Sequence, residues 1–383
     1  MDVHLLRKVR LGLLLGTVAL LMGCSGAPAT SPTAQAPATQ APAVTPAQTQ
    51  APIAAPAPTS VPAPTTAGAA GPVVKVGVVG GAGANPLFLA QGRGYYQKQG
   101  VTVQFVTVSS GAELLPLMAS DQLDAGLASP AAALFNAIGQ GVSLKAVGDA
   151  GRQEAGAWWG GVVVRPELLD SGAIKTPPDL KGRSIAVTAP GVGTYLNVVR
   201  LLEANGMTEK DVNLTFLNFG DMLSALGTGK VDAADIVEPS ITLGEAKGLL
   251  KRWISNAEIS PGEQEAVVMI TPRLAANTDL ANRFLMAYVQ AVHDYLAAFG
   301  PEKTDQDAVI QAMLPLLPDG YTADLLRQLS PLALDPDGLV NGPSLKNEQE
   351  WYAAHGFIKT PVDTDDVVDN SFAEHARDTL RMR

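Results

Sequence analysis

Cysteine is nearly absent from this chain, since Cys24 is the only one among its 383 residues. The folded part can therefore have no intramolecular disulfide, no cysteine-based metal site and no cysteine nucleophile. Histidine is scarce too, with four residues, and the motifs H-E-x-x-H, G-x-S-x-G and the P-loop do not occur. These absences leave little support for a catalytic function, and we expect neither a metal nor another cofactor.

The apolar run near the N-terminus is too short to span a membrane. Residues 11–23 are apolar, but a spanning helix needs roughly 20 residues. The run follows basic residues within positions 7–10 and precedes Cys24, which is the layout of a secretory signal. The segment "LMGC" resembles a bacterial lipobox, so we expect residues 1–24 to be a lipoprotein signal peptide and Cys24 to carry a lipid. An ordinary signal peptide with an incidental cysteine, or a short membrane anchor, is the alternative.

Charged side chains are missing from residues 25–72, which are dominated by Ala, Pro, Thr and Gln. Such a composition cannot bury enough apolar surface to offset the entropy of ordering. We therefore expect a disordered, partly extended tether that holds a folded domain near a membrane.

The charge balance of the whole chain is acidic, with a net charge of −10. Removal of residues 1–24, which carry three basic side chains and one acidic one, lowers it to −12. An acidic surface argues against nucleic-acid binding, which requires basic patches. The remaining residues 73–383 suffice for two lobes of ordinary domain size.

The folded part alternates strands with helices, which indicates an α/β fold with mainly parallel sheets. We predict strands at 73–80, 101–108, 123–129, 144–150, 183–189 and 231–239. The stretches "LMASDQLDAGLASP" and "ALGTGKVDAADIVEP" echo each other, which places Ser129 and Glu238 at equivalent carboxyl ends of strands. Ligands of open α/β sheets bind at such ends, so two facing lobes would form one cleft. The apolar runs 158–167 and 265–273 are the candidate hinge strands between the lobes.

Several segments together resemble the type II periplasmic solute-binding proteins. They are "FLAQGRGYYQKQGVTVQFV", "DQLDAGLASPAA", "GVSLKAVGDA", "DLKGRSIAVTAPGVGTYLNVVRLLEANGM" and "GKVDAADIVEPS", within residues 73–300. The most similar group is the SsuA-like one that serves the uptake of aliphatic sulfonates, nitrate, taurine and thiamine precursors, here in lipoprotein form. The pattern is specific for the family and not for the ligand.

The resemblance implies a two-lobe clamshell with two hinge crossings and a helical C-terminal region. Lobe 1 would comprise residues 73–160 and 268–383, and lobe 2 residues 161–267. The protein would be extracytoplasmic, held at the cell membrane by its lipid and monomeric. It would capture a small anionic, zwitterionic or heteroaromatic solute and deliver it to the permease subunits of an ABC importer.

The turn "TAPGVGT" is the first candidate binding element, because it joins a buried strand to a helix. Gly191 and Gly193, with the hydroxyls of Thr188 and Thr194, would present donors at a positive helix N-terminus to a carboxylate, sulfonate or phosphate. Alternatively, the glycines only form a tight turn and Thr194 caps its own helix.

Polar residues after two other strands are further candidates. Gly83 in "GGAGANP" would permit close approach of a ligand to the backbone, and Asn85 would donate and accept hydrogen bonds. Ser129 would donate its hydroxyl into the cleft. A flexible turn and a helix cap, respectively, are the structural alternatives.

A carboxylate and an aromatic side chain complete the candidate site. Glu238 would pair with an amine or guanidinium or accept from a ring N–H, whereas for Asp235 we expect a solvated or locally bonded side chain. Trp158 would form a stacking wall or else pack in the hinge core. Because the helix N-terminus favours an anion and Glu238 a cation, a zwitterion or an acidic heteroaromatic compound would satisfy both.

Two other functional classes share this fold. Some thiamine-pyrimidine synthases adopt it, but they use a histidine and a cysteine-rich stretch that this chain lacks. A ligand-sensing module is the other alternative, and it would need a separate signalling partner.

Overall fold

The computed structural model describes residues 71–79, 81–108 and 110–382. The expected signal peptide, Cys24 and nearly all of the expected tether lie outside the described residues. None of the helices in these ranges combines the length and hydrophobicity of a membrane-spanning segment.

The first sheet has five strands in the order β2-β1-β3-β10-β4. Strands β1, β2 and β3 are parallel, and β10 runs antiparallel between β3 and β4. The bounds are β1 Val73–Val79, β2 Thr102–Val108, β3 Ala125–Ala128, β4 Lys145–Asp149 and β10 Val267–Ile270.

The second sheet repeats this pattern in the order β7-β6-β8-β5-β9, with β5 antiparallel between β8 and β9. The bounds are β5 Gly160–Val164, β6 Ser184–Val187, β7 Asn213–Phe216, β8 Ala233–Val237 and β9 Lys251–Ser255. The expected α/β class is confirmed. The six strands whose bounds were predicted above are present, and each begins and ends within two residues of those bounds.

Helices cover the sheets and form most of the chain after residue 271. They are α1 Asn85–Gly92, α2 Tyr95–Lys98, α3 Gly111–Ala119, α4 Ala132–Gly139, α5 Pro166–Asp170, α6 Gly193–Ala204, α7 Phe219–Gly227, α8 Ser240–Ala246, α9 Asn256–Ile259, α10 Pro272–Ala276, α11 Thr278–Phe299, α12 Gln306–Met313, α13 Ala323–Gln328, α14 Gly342–Ala354 and α15 Ser371–Arg381. Short 3₁₀ turns lie at Ala82–Ala84, Pro177–Leu180, Glu209–Asp211, Leu314–Leu316 and Thr364–Asp366.

Helix α11 forms the main support of the first sheet. Its apolar residues recur at Phe284, Tyr288, Val292 and Tyr295, the spacing of one helix face, and all four are buried. Each such side chain contributes roughly 1.5–3 kcal/mol when it leaves water. The helix therefore anchors the C-terminal region to the N-terminal strands of the same lobe.

The chain passes between the sheets twice, through residues 150–159 and 256–266. These two segments pair by backbone hydrogen bonds: Gln153 N–H donates to the Glu263 carbonyl at 2.8 Å, and Glu265 N–H to the Gly151 carbonyl at 2.7 Å. We call residues 151–153 and 262–265 the hinge ribbon.

The apolar runs expected to be hinge strands are not the crossings. Residues 160–164 and 267–270 are strands inside the second and first sheet, respectively, because an apolar run is stable where both of its faces are buried. The polar segments that precede them make the crossings. The lobe boundaries at 160/161 and 267/268 stay a prediction.

Candidate functional site

The turn between β6 and α6 has the geometry expected of a donor site. Gly191 has φ +73°, a left-handed conformation that favours glycine. Helix α6 begins at Gly193, and the first N–H groups, from Gly193 to Tyr195, find no acceptor among the described residues. Such orphan donors are general at helix starts, so this feature alone does not identify a ligand.

The two threonines of this turn bind each other. Thr194 Oγ1 accepts from the Thr188 N–H at 3.0 Å and lies 2.7 Å from Thr188 Oγ1. The hydroxyls therefore brace the turn, and the free donors at this place are the backbone N–H groups.

Glu238 is buried in an internal network at the end of β8. Its carboxylate accepts from the Thr242 N–H at 3.0 Å and the Thr242 hydroxyl at 2.9 Å. It also forms a 2.7 Å ion pair with Arg252. The guanidinium expected opposite Glu238 thus belongs to the protein.

Trp158 belongs to the same network. The Arg252 guanidinium lies 5.1 Å from the centre of the Trp158 ring and donates to the Trp158 carbonyl at 2.8 Å. The ring is partly exposed and stacks on a cation of the protein.

Gly83 lies in the short 3₁₀ turn after β1, and Asn85 begins α1. A Cβ atom on Gly83 would lie 3.1 Å from the Ala150 carbonyl oxygen. The glycine therefore lets the chain after β1 pack closely against the start of the first crossing, residues 150–159. Asn85 is buried and bonds to the Tyr295 hydroxyl, which lowers the pKa of Tyr295 while burial raises it more. The Asn85 Oδ1 atom has no partner among the described residues.

A narrow cavity lies between the lobes where Ser129 and Gly193 meet the hinge ribbon. The Ser129 hydroxyl donates to the Glu265 carbonyl at 2.9 Å, which joins the end of β3 to the ribbon. The cavity has room for about one water molecule. It is lined by Ser129, Pro130, Ala131, Gly193, Leu196, Asn197, Glu263, Gln264, Glu265, Glu348 and Tyr352.

The cavity brings together only two of the residues predicted from the sequence, Ser129 and Gly193. Thr188, Gly191 and Thr194 form the turn that leads to Gly193 and do not line it. Gly83, Asn85, Trp158 and Glu238 are also outside its lining.

Carboxylates dominate the cavity. Glu263 and Glu348 are 7% and 4% exposed. Burial raises the pKa of both, although the Arg200 charge lowers each of them. The pKa of Glu265 is also raised well above its usual range, first by burial and then by the charges of Glu263 and Asp235.

Asp235 on β8 lies behind this group. It is fully buried rather than solvated, and burial raises the pKa of its carboxyl, while bonds from Asn256 and Asn197 act in the opposite direction. Arg200 on α6 is the cation that faces the carboxylates, with an ion pair of 2.7 Å to Glu263.

These acidic residues are not among the site residues predicted from the sequence. In "PGEQEAVVM", Glu263 and Glu265 are two positions apart just before a buried strand, so an extended backbone puts both on one side. This spacing of two glutamates before a strand can be recognised in the sequence. Glu348 lies in a polar helix more than 80 residues away, and no local pattern marks it.

Comparisons with known proteins agree with this architecture. The model of the family described as "NMT1/THI5 like" matches residues 83–300. A Bacillus subtilis (strain 168) protein, provisionally named an aliphatic sulfonates-binding protein, is 24% identical over 299 residues, which cover 76% of this chain and 85% of that protein.

Two solved structures have similar folds. The ligand-binding component of an ABC-type import system from Staphylococcus aureus, solved with zinc bound, superposes with a TM-score of 0.64 at 14% identity, covering 79% of this chain and 98% of that one. The periplasmic aliphatic sulphonate binding protein SsuA from Escherichia coli gives a TM-score of 0.63 at 18% identity, with coverages of 79% and 99%. The chain therefore has the two-lobe fold of these binding proteins.

Proposed function

Because this chain belongs to the NMT1/THI5-like family, we propose that it is the extracytoplasmic solute-binding component of an ABC importer. The observation that carries the proposal is the cavity between the two lobes, which lies at the carboxyl ends of β3 and β6 and is lined by buried polar groups. Ligands of open α/β sheets bind at such ends. The relatives reported above are named as binding proteins, and we propose no enzymatic activity.

Capture would proceed by bending of the hinge ribbon. In an open form, solvent reaches Ser129 on lobe 1 and the start of α6 on lobe 2. When a solute contacts both surfaces, the lobes close on it and water leaves. The closed form would then dock on the permease and deliver the solute.

A small-angle X-ray scattering titration tests this function. We expect the radius of gyration of the full chain, purified in detergent, to fall when a bound solute is added from a panel of small polar compounds. Thermal unfolding selects the solute, since a ligand at 100 times its dissociation constant stabilises by about 2.7 kcal/mol. A stabilising compound that leaves the radius unchanged argues against the clamshell mechanism.

The attachment to the membrane is a separate part of the proposal. It rests on Cys24 after the apolar run. We expect cells fed a labelled fatty acid to label the protein, and Cys24→Ser to abolish the label and release the protein from membranes. Label retained in Cys24→Ser would rule the anchor out. Light scattering of the released form tests the expected monomer.

A further inference from the structure

Unpaired hydrogen-bond acceptors concentrate around the cavity. Asn197 Oδ1, Glu263 Oε2 and the Tyr352 hydroxyl line it without a partner among the described residues, and all three residues are at least nine-tenths buried. Three more unpaired oxygens belong to residues close by: Asp235 Oδ2, Gln153 Oε1 and Asn256 Oδ1. Buried polar atoms normally have partners, and the free N–H groups at the start of α6 form no hydrogen bond to any of these oxygens.

The charges around the cavity also favour a cationic ligand. Carboxylates line the cavity from two elements, Glu263 and Glu265 on the hinge ribbon and Glu348 on α14. The charge of Asp235 on β8 acts on Glu265 from outside the lining. Arg200 is the cation that faces them, and it binds only one oxygen of Glu263, with a second bond to the Ser260 hydroxyl. An anion at this place would meet repulsion, whereas a cation would offset it.

The geometry favours an N–H donor over a metal ion at this place. Among the described residues, no group of three or more His, Cys, Asp or Glu side chains is placed to hold one. The space of about one water molecule suits a head group of that size. An ammonium group has three N–H donors and a compact charge, and a guanidinium has five donors in a planar fork.

We propose that the cavity binds the cationic nitrogen group of a small organic solute, with Glu263 and Glu348 as charge partners and Asn197 and Tyr352 as further acceptors. This inference rests on the proposed solute-binding function and specifies the class of solute. A wider, open groove beside the cavity shares Glu263 and Glu348 with it and leads past Arg200 to solvent. That groove leaves space for the rest of the solute.

Three compounds that differ in one group provide the test. Taurine carries an ammonium and a sulfonate, ethanesulfonate lacks the ammonium, and ethylammonium lacks the sulfonate. Guanidinium is a fourth probe. We expect calorimetric titration of the full chain to show saturable binding of at least one nitrogen cation, at least tenfold tighter than ethanesulfonate.

Two variants assign the binding to the cavity. Glu348→Gln keeps the shape of the side chain and should weaken the cation at least tenfold while leaving thermal stability equal or higher. Glu350→Gln is the matched control, since Glu350 is two residues away on α14, exposed and paired with Lys346. It removes the same charge and should not change binding.

Each outcome decides a different claim. If ethanesulfonate binds as tightly as taurine and ethylammonium does not bind, the cationic solute is overturned and the solute-binding function stands. If a cation binds equally well to Glu348→Gln, its site is elsewhere and the inference fails. If no probe binds and the wider panel also leaves the radius of gyration unchanged, the inference and the proposed function fail together.

Discussion

Glu238 illustrates how a residue at a strand end acquires a structural role. Its position predicts a ligand contact, but its carboxylate is fully enclosed by Thr242, Arg252 and the Ser330 N–H. A sequence motif locates the side chain and does not reveal its partners. Arg252 lies 14 residues further along, on a different strand, and only the folded sheet brings it near.

The first prediction concerns this buried pair. Glu238→Gln should destabilise the protein by about 3 kcal/mol, because it leaves a desolvated guanidinium without its buried partner. Urea unfolding measures the change. Glu245→Gln removes the other partner of Arg252, which is more exposed, and should cost below about 1 kcal/mol. Equal losses of stability in the two variants would show that the buried position of Glu238 makes its ion pair with Arg252 no more stabilising than that of Glu245.

A second prediction follows from the raised pKa of Glu265 and Glu348. The folded state holds these protons more tightly than the unfolded state, in which a glutamate has a pKa of about 4.3. The stability they contribute is thus complete below that value and is lost as pH rises through the raised values. Without solute, urea unfolding should show lower stability at pH 8 than at pH 5.

Glu348→Gln is the control for the pH effect, since it imitates the protonated side chain. It should reduce the difference in unfolding free energy between pH 5 and pH 8, while Glu350→Gln should not. The charges that act on this site are those of Asp235, Glu263, Glu265 and Glu348, opposed by Arg200. If Glu348→Gln leaves the difference in unfolding free energy between pH 5 and pH 8 unchanged, groups other than Glu348 cause the pH effect.

At the scale of elements, periodicity predicted the strands well and the crossings poorly. The apolar runs around β5 and β10 are conspicuous, and a strand was the correct expectation for both. Their role was misjudged because hydrophobicity reports burial and not the path of the chain. The actual hinge, such as "PGEQE" at 261–265, is polar and irregular, and its geometry depends on pairing with a segment over 100 residues away.

The turn before α6 supports a third prediction. Gly191→Ala should destabilise by more than the roughly 1–2 kcal/mol of a left-handed residue, because the new Cβ also meets Phe357 at 3.1 Å. Gly206→Ala is the control: its φ is +70° and nothing lies within 4 Å of a Cβ there. Urea unfolding of the two variants separates the cost of backbone strain from that of the contact with Phe357. Equal losses of stability would show that the contact adds nothing.

The sequence predicted the location of the site better than the side chains that line it. Ser129 and Gly193 follow strands whose ends meet, so topology suffices to bring them together. The carboxylate group of the lining depends on two separate elements, and Glu348 comes from the C-terminal helical region that the family pattern covers least. Its acidity is therefore a property of the tertiary structure.

At the scale of the whole molecule, aromatic contacts hold the lobes together. Tyr195 on α6 lies 6.3 Å from Trp351 and 5.3 Å from Phe357, measured between ring centres. The Trp351 indole donates to Glu203 at 3.3 Å, and His355 lies 2.8 Å from the same carboxylate. The C-terminal helical region thus packs against α6, which follows β6 of the second sheet.

The fourth prediction is that Trp351→Ala favours the open form. Small-angle scattering without solute should give a larger radius of gyration than for the unmodified chain, and solute should bind more weakly. Phe216→Ala is the control, since that ring is half exposed at the edge strand β7. An unchanged radius in Trp351→Ala would mean that other contacts determine closure.

The hinge ribbon has one further consequence. Glu263 and Glu265 belong to the hinge ribbon. A solute that neutralises them in the proposed binding mode would therefore act on the segment that bends when the lobes close. The charges of Glu263 and Asp235 raise the pKa of Glu265, and in the proposed complex a bound cation would offset this repulsion. We therefore expect the angle between the lobes to depend on the charge of the bound solute as well as on its presence.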